Sequence, residues 1–153
     1  MLKDGDKAPN VTLPLPDGSA TSIADQAGKI LVLYFYPKDD TPGCTTEAKA
    51  FTALAGEFAG AGATIIGVSK DKPARHQKFI DKYGLKVSLA SDSDDSICEA
   101  YGTWIEKTLY GRNYMGIDRA TFLIGKDGRI ARIWRKVKVK GHAEEVLAAA
   151  QAL

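Results

Sequence analysis

The run Ile30-Leu31-Val32-Leu33-Tyr34-Phe35-Tyr36 carries no charge and shows no alternation. A strand of that kind needs cover on both faces, as the central strand of a parallel α/β sheet has. Pro37 ends it. Thr41-Pro42 then reads as a helix start, with Thr as N-cap and Pro in the first helical position. Ala48, Phe51, Leu54, Ala55 and Phe58 recur at helical spacing, which predicts one helix to about Ala59, stopped by Gly60-Ala61-Gly62. Thr64 to Ser69 is a second β-branched strand, so the unit is β-α-β. Cys44 thereby falls where a strand gives way to a helix, at the carboxyl end of the strand, where open α/β sheets place their sites. Helix N-termini carry partial positive charge and free N–H groups that stabilise a thiolate.

The remaining chain extends this unit. Val11 to Thr21 contains Asp17-Gly18, a hairpin signal, and its prolines confine it to an appended hairpin or an edge. Pro73 to Tyr83 is helical, with His76, Phe79, Ile80 and Tyr83 on one face, and Val87 to Ala90 is a short strand. Ser91 to Asp95 offers caps for a short helix carrying Ile97, Cys98 and Tyr101. Gly102 to Asp118 reads as a long loop. Ala120–Ile124 and Ile130–Trp134 form a hairpin about Lys126-Asp127-Gly128-Arg129, and Val146, Leu147, Ala150 and Leu153 mark a C-terminal amphipathic helix. The order predicts a single α/β domain with a thioredoxin-like fold: a mixed central sheet flanked by helices, with an N-terminal hairpin extension.

Bulk properties exclude several classes. A formal charge of +2 is too weak to argue for nucleic acid. No apolar run approaches the roughly 20 residues of a membrane span, and the first residues lack an apolar signal segment, so a soluble, cytoplasmic protein is expected. Two cysteines do not make a disulfide scaffold, and with only His76 and His142 no compact metal cluster is expected. The basic run Arg129, Arg132, Arg135, Lys136, Lys138 and Lys140 reads as a solvated strand face.

Cys44 is therefore a candidate nucleophile, against the alternative of a small buried hydrophobe. Arg119 is the best candidate for a cation beside it, because the strand that follows Arg119 would neighbour the strand leading to Cys44. Thr41 reads as a cap or as a hydroxyl facing the thiolate. Pro37 reads as a strand terminator or as a wall that keeps the thiolate dry. Trp104 and Tyr110 either wall the site or anchor the predicted loop.

Pro37-x-x-x-Thr41-x-x-Cys44 resembles the peroxiredoxin active-site motif. The fuller stretch from Tyr36 through Gly43 and Cys44 to Glu47 is similar to the bacterioferritin comigratory protein, or PrxQ, subfamily. The resemblance continues through Gly5 to Pro9, Gly67-Val68-Ser69, Tyr101-Gly102 and Gly116 to Ile124. It implies a thiol-dependent peroxidase in which Cys44 attacks a hydroperoxide and becomes a sulfenic acid. Arg119 and the N–H groups near Gly43 and Cys44 would stabilise charge on the leaving oxygen, Thr41 would orient the peroxide, and Pro37 would exclude water. No metal or organic cofactor is implied. A monomer is expected.

The chain departs from that subfamily in its second thiol. The positions where relatives carry a resolving cysteine are Lys49 and Ile80 here. Cys98 is left as a buried helix thiol, an intramolecular resolving thiol, or an intermolecular one. A cycle using an external thiol, thioredoxin or glutathione with glutaredoxin, is the favoured expectation. The alternatives are a peroxide-sensing relay and a thiol–disulfide oxidoreductase; the latter calls for a Cys-x-x-Cys pair that the chain lacks.

Overall fold

The computed structural model describes residues 1–153. A small hairpin, β1 (Thr12–Pro14) and β2 (Ala20–Ser22), precedes the main sheet. There follow β3 (Ile30–Phe35), α1 (Pro42–Ala53), α2 (Ala55–Gly60), β4 (Ala63–Ser69), α3 (Pro73–Tyr83), β5 (Ser88–Ser91) and α4 (Ser96–Tyr101). The chain ends with β6 (Trp104–Leu109), β7 (Arg112–Ile117), β8 (Ala120–Ile124), β9 (Ile130–Trp134) and α5 (His142–Gln151). The five-stranded sheet runs β5-β4-β3-β8-β9. β3, β4 and β5 are parallel, while β8 pairs antiparallel with both β3 and β9. This is the mixed sheet of a thioredoxin-like fold.

Every residue of β3 is buried, for the reason its sequence suggests. Period-2 geometry sends Ile30, Val32, Tyr34 and then Tyr36 to one face, where they meet α1, α2, α5 and Phe79 of α3. Leu31, Leu33 and Phe35 face the other core, under α4 and the N-terminal hairpin. The close packing has one visible requirement on the sheet. A Cβ at Gly67 of β4 would lie 2.6 Å from the Tyr34 ring, so only glycine fits there.

Two expectations from the sequence need correction. The helix after Cys44 is not continuous to Ala59. It breaks at Leu54 (φ −102°, ψ 7°), and α2 starts afresh beyond it. The break brings Phe58 against Phe51, with centroids 5.8 Å apart, where both are fully buried. Nor is Gly102 to Asp118 a loop: it holds the β6–β7 hairpin, paired from Trp104↔Ile117 to Leu109↔Arg112. Its tip, Tyr110-Gly111, takes positive φ at both residues, the geometry of a tight hairpin turn. Polar residues alternating with isolated apolar ones on a largely exposed ribbon leave little hydrophobic signal to read.

Gly67→Ala forces a methyl into the Tyr34 ring, which cannot swing aside as a flexible chain end would. It is expected to cost about 1–3 kcal/mol, read as a lower urea midpoint with unchanged slope.

Candidate functional site

Parallel pairing of β3 with β4 and antiparallel pairing with β8 bring two distant segments together. Phe35 lies opposite Ala120, so Arg119 sits beside the end of the strand that leads to Cys44. Arg119 Nη2 donates to Cys44 Sγ at 3.4 Å, and its Nη1 donates to Glu47 Oε1 at 2.7 Å. Cys44 is 2% exposed. One guanidinium thus bridges the thiol and a buried carboxylate, a geometry that fixes the cation over the sulfur. Gly43 makes room for it. A Cβ there would stand 3.2 Å from Arg119 Nη2.

Glu47 has no site role in the sequence reading. It follows Cys44 by three residues, so both lie on one face of α1 with Ala48 and Phe51. A charged residue on a helix's apolar face, near a reactive thiol, was the signal for it. Its Oε2 is buried without a partner, as is the Tyr34 hydroxyl. Burial pushes the Glu47 carboxyl up to about 7, with Arg119 opposing only part of that rise. For Arg119, burial works against the charge, but Glu47 and Cys44 outweigh it and hold the guanidinium above its ordinary value. Arg119 therefore stays charged throughout, and the ion pair follows the proton on Glu47.

The loop from β3 to α1 is clamped onto its neighbours by two successive aspartates. Asp39 is fully buried. It accepts from the Tyr36 hydroxyl at 2.5 Å, contacts His76 Nδ1 at 2.7 Å, and its own N–H donates to Asp71. His76 Nε2 lies 3.0 Å from the Ala90 carbonyl, which can only accept, so Nε2 carries a proton. Asp40 takes a left-handed conformation (φ 58°) and accepts from Lys82 and Tyr83 of α3. Asp39, Asp71 and His76 bring one ligand-type atom each within 4.8 Å of one another, a compact group that the sequence did not anticipate. The fold, not spacing along the chain, assembles it. Asp71 is also engaged, by Ser69 and by Arg75. The cluster reads as the anchor of the loop.

Thr41 stands at the N-cap position but makes no capping hydrogen bond. Its hydroxyl donates back to the Lys38 carbonyl at 2.8 Å instead, which leaves the oxygen's acceptor capacity unused. Pro37 is exposed, so burial of the thiol does not come from enclosing Pro37. Cys98 is fully buried in the core on the opposite face of the sheet from Cys44. Burial, with Asp92 beside it, pushes its thiol up to about 12. The structure does not bring the two sulfurs together, and both are free. Lys49 is exposed, and Ile80 is half-buried on α3.

Other candidates resolve into structural roles. His142 is buried and kept neutral, its pKa lowered by burial to about 4, with Nε2 2.8 Å from Thr121 Oγ1. Trp104 packs at the edge of the α4 core under Lys70. Tyr110 is 94% exposed at the hairpin tip and walls nothing. In the basic run, Arg132 pairs with Glu145 and covers Trp134, while Arg135 caps Gly102.

The site thus holds a buried thiol under an arginine, just beyond the carboxyl end of the central strand of a thioredoxin-like sheet. Comparison with known proteins identifies the family. The AhpC/TSA family matches residues 5–133. Peroxiredoxin Bcp of Bacillus subtilis is 48% identical over 146 residues, covering 95% of this chain and 93% of its own. Peroxiredoxin Bcp of Xanthomonas campestris is 48% identical over 143 residues, covering 94% and 89%. A crystal structure of a Xylella fastidiosa PrxQ mutant superposes with a TM-score of 0.94 at 43% identity, covering 99% of this chain and 97% of that one. The chain belongs to the AhpC/TSA family, in its Bcp/PrxQ peroxiredoxin branch, and is a thiol-dependent peroxidase. No helix is long and apolar enough to cross a membrane.

Two outcomes follow from this geometry. Gly43→Ala displaces the Arg119 guanidinium by a few tenths of an ångström, and should slow peroxide oxidation of the thiol about three- to tenfold without lowering the melting temperature. The second concerns Glu47. Its folded-state pKa lies above the ordinary carboxylate value of 4.5, so its protonated form favours the folded state below about pH 4.5, and that contribution is lost as pH rises through about 7. Relative to Glu47→Gln, wild type should lose on the order of 2–3 kcal/mol of stability over that window, read by urea denaturation at a series of pH values.

Proposed function

We propose that Cys44 is the peroxidatic nucleophile of this peroxidase and that an external thiol recycles it. The observation that carries this is the 3.4 Å contact between Arg119 Nη2 and the Cys44 sulfur at the strand end. The thiolate attacks the terminal oxygen of ROOH. The S–O bond forms as the O–O bond breaks, and the electron pair leaves on RO⁻, which takes a proton to become ROH. Cysteine is oxidised to sulfenic acid and the peroxide is reduced. Arg119 lies where charge moves onto the leaving oxygen. Thr41, whose hydroxyl already donates to the Lys38 carbonyl, accepts from the hydroperoxide O–H. Gly43 supplies the room that Arg119 needs, and Pro37 is proposed to help keep water from the thiolate.

Hydrogen peroxide and organic hydroperoxides are the proposed substrates. The Xanthomonas campestris bacterioferritin comigratory protein, 48% identical with a TM-score of 0.89, is described by its alkyl peroxide reduction activity. The sulfenic acid then meets a thiol from another molecule, thioredoxin or glutathione with glutaredoxin, in a 1-Cys cycle. Cys98 supports this by its place: it lies across the sheet, buried, with its thiol held protonated. A disulfide needs Cα atoms within about 7 Å, so pairing the two would require the sheet layer to open. The protein is proposed to work as a cytoplasmic monomer.

Stopped-flow mixing of reduced protein with hydrogen peroxide tests the assignment. Cys44 is expected to oxidise much faster than free cysteine, and an equal rate overturns it. Cys98→Ser is expected to keep thioredoxin-supported turnover within about twofold of wild type. Loss of turnover, or a Cys44–Cys98 disulfide seen by mass spectrometry in wild type, overturns the external-thiol cycle.

A further inference from the structure

We propose that Lys136, Lys138 and Lys140 form a docking strip for an acidic protein thiol that reduces Cys44; the proposal rests on the external-thiol cycle above. Beyond β9 the chain stays alongside Arg119. The Val137 N–H donates to the Arg119 carbonyl at 2.9 Å. This is the residue whose guanidinium lies 3.4 Å from the Cys44 sulfur. Two residues on, the Val139 carbonyl accepts from the His142 N–H at 3.1 Å, where α5 begins. The segment is therefore tied at both ends, with its backbone against the residue that covers the thiol. Exposure alternates along it: Val137 and Val139 are half-buried, while Lys136, Lys138 and Lys140 are exposed.

The basic run sorts into engaged arginines and free lysines. Arg129 donates to the Gly5 carbonyl, Arg132 pairs with Glu145, and Arg135 donates to the Gly102 carbonyl. The three lysines join no ion pair and lie over no aromatic ring. Of the acids that follow on α5, Glu145 is held by Arg132 and Trp134, and Glu144 is exposed and pairs with none of them. Three charges exceed the chain's formal net of +2, so the rest of the molecule is on balance slightly acidic. The strip is thus a local positive field beside Arg119. Such a field extends over about 8 Å at physiological ionic strength, so it acts without touching the sulfur. Hydrogen peroxide is uncharged and gains little from it. A macromolecule with an acidic rim around its own thiol gains orientation and a faster encounter.

The docked thiolate attacks the sulfenic sulfur of Cys44. The S–S bond forms as the S–O bond breaks, and hydroxide leaves, taking a proton to become water. A second thiolate of the partner then attacks the partner's sulfur in the mixed disulfide, and Cys44 departs as thiolate. The partner is oxidised to a disulfide and Cys44 is reduced. The lysines meet none of the reacting atoms. They speed the encounter and fix its orientation.

The test is reduction of the peroxide-oxidised protein by an acidic thioredoxin, with uncharged dithiothreitol as control, in about 20 to 300 mM salt. Wild type is compared with variants in which Lys136, Lys138 and Lys140 are all changed to Gln, to Glu or to Arg. Circular dichroism confirms folding, and should a triple variant fail to fold, Lys138→Gln and Lys138→Glu decide. At low salt, kcat/KM for thioredoxin is expected to fall about three- to tenfold in the Gln variant and further in the Glu variant. The difference from wild type should shrink as salt rises, and the Arg variant should stay within about twofold of wild type. Oxidation of Cys44 by hydrogen peroxide and reduction by dithiothreitol should also stay within about twofold in every variant. Thioredoxin values unchanged in Gln and Glu overturn the proposal. So does a loss that dithiothreitol shares or that salt does not relieve, and so does a wild type that dithiothreitol reduces but thioredoxin does not. If oxidised wild type instead closes a Cys44–Cys98 disulfide, the external-thiol cycle itself fails, so the two failures are distinguishable.

Discussion

One guanidinium carries most of the organisation at this site. Arg119 reaches the Cys44 sulfur and the Glu47 carboxylate at once, from the residue just before β8, more than seventy residues away in sequence. Such a bridge survives only if everything around it is fixed. β8 pairs with β3 so that Ala120 opposes Phe35. Gly43 leaves the guanidinium its path. Asp39 and Asp40 pin the intervening loop to His76, Tyr36 and α3. The arginine has no use for those residues directly, but its reach to sulfur depends on where they hold the start of α1. A buried carboxylate that is reluctant to ionise is the energetic cost of holding the cation in place.

The sheet also divides the chemistry. Alternation along β3 sends Tyr34 and Tyr36 to the face of Cys44, and Leu33 and Phe35 to the face of Cys98. Two thiols in one small protein are thereby kept in different cores. One meets an arginine, and the other is held protonated by burial. This separation is what supports the proposed cycle, in which a thiol from another molecule reduces Cys44.

Much of this was legible in the sequence because it is written in local patterns. Unbroken apolar character in β3, helical spacing after Pro42, and the Asp17-Gly18 turn each follow from nearest-neighbour chemistry. The proximity of Arg119 to Cys44 was readable from strand order. Glu47 was harder, because a single carboxylate on a helix reads as solvent-facing until its face is known to be buried. Thr41 kept its N-cap position, yet its hydroxyl turned to Lys38, a choice set by the loop rather than by the residue. The Asp39–His76 contact joins two elements with no shared pattern, so only the fold could reveal it. The β6–β7 ribbon was missed because it is mostly exposed, and hydrophobic periodicity reports only what a chain buries.

Arg119→Met removes the bridging charge while keeping an unbranched side chain in its place. If that charge activates Cys44, the second-order rate of its oxidation by hydrogen peroxide, followed by stopped flow at neutral pH, falls about 100- to 1000-fold. A rate within about twofold of wild type in a folded variant would contradict it.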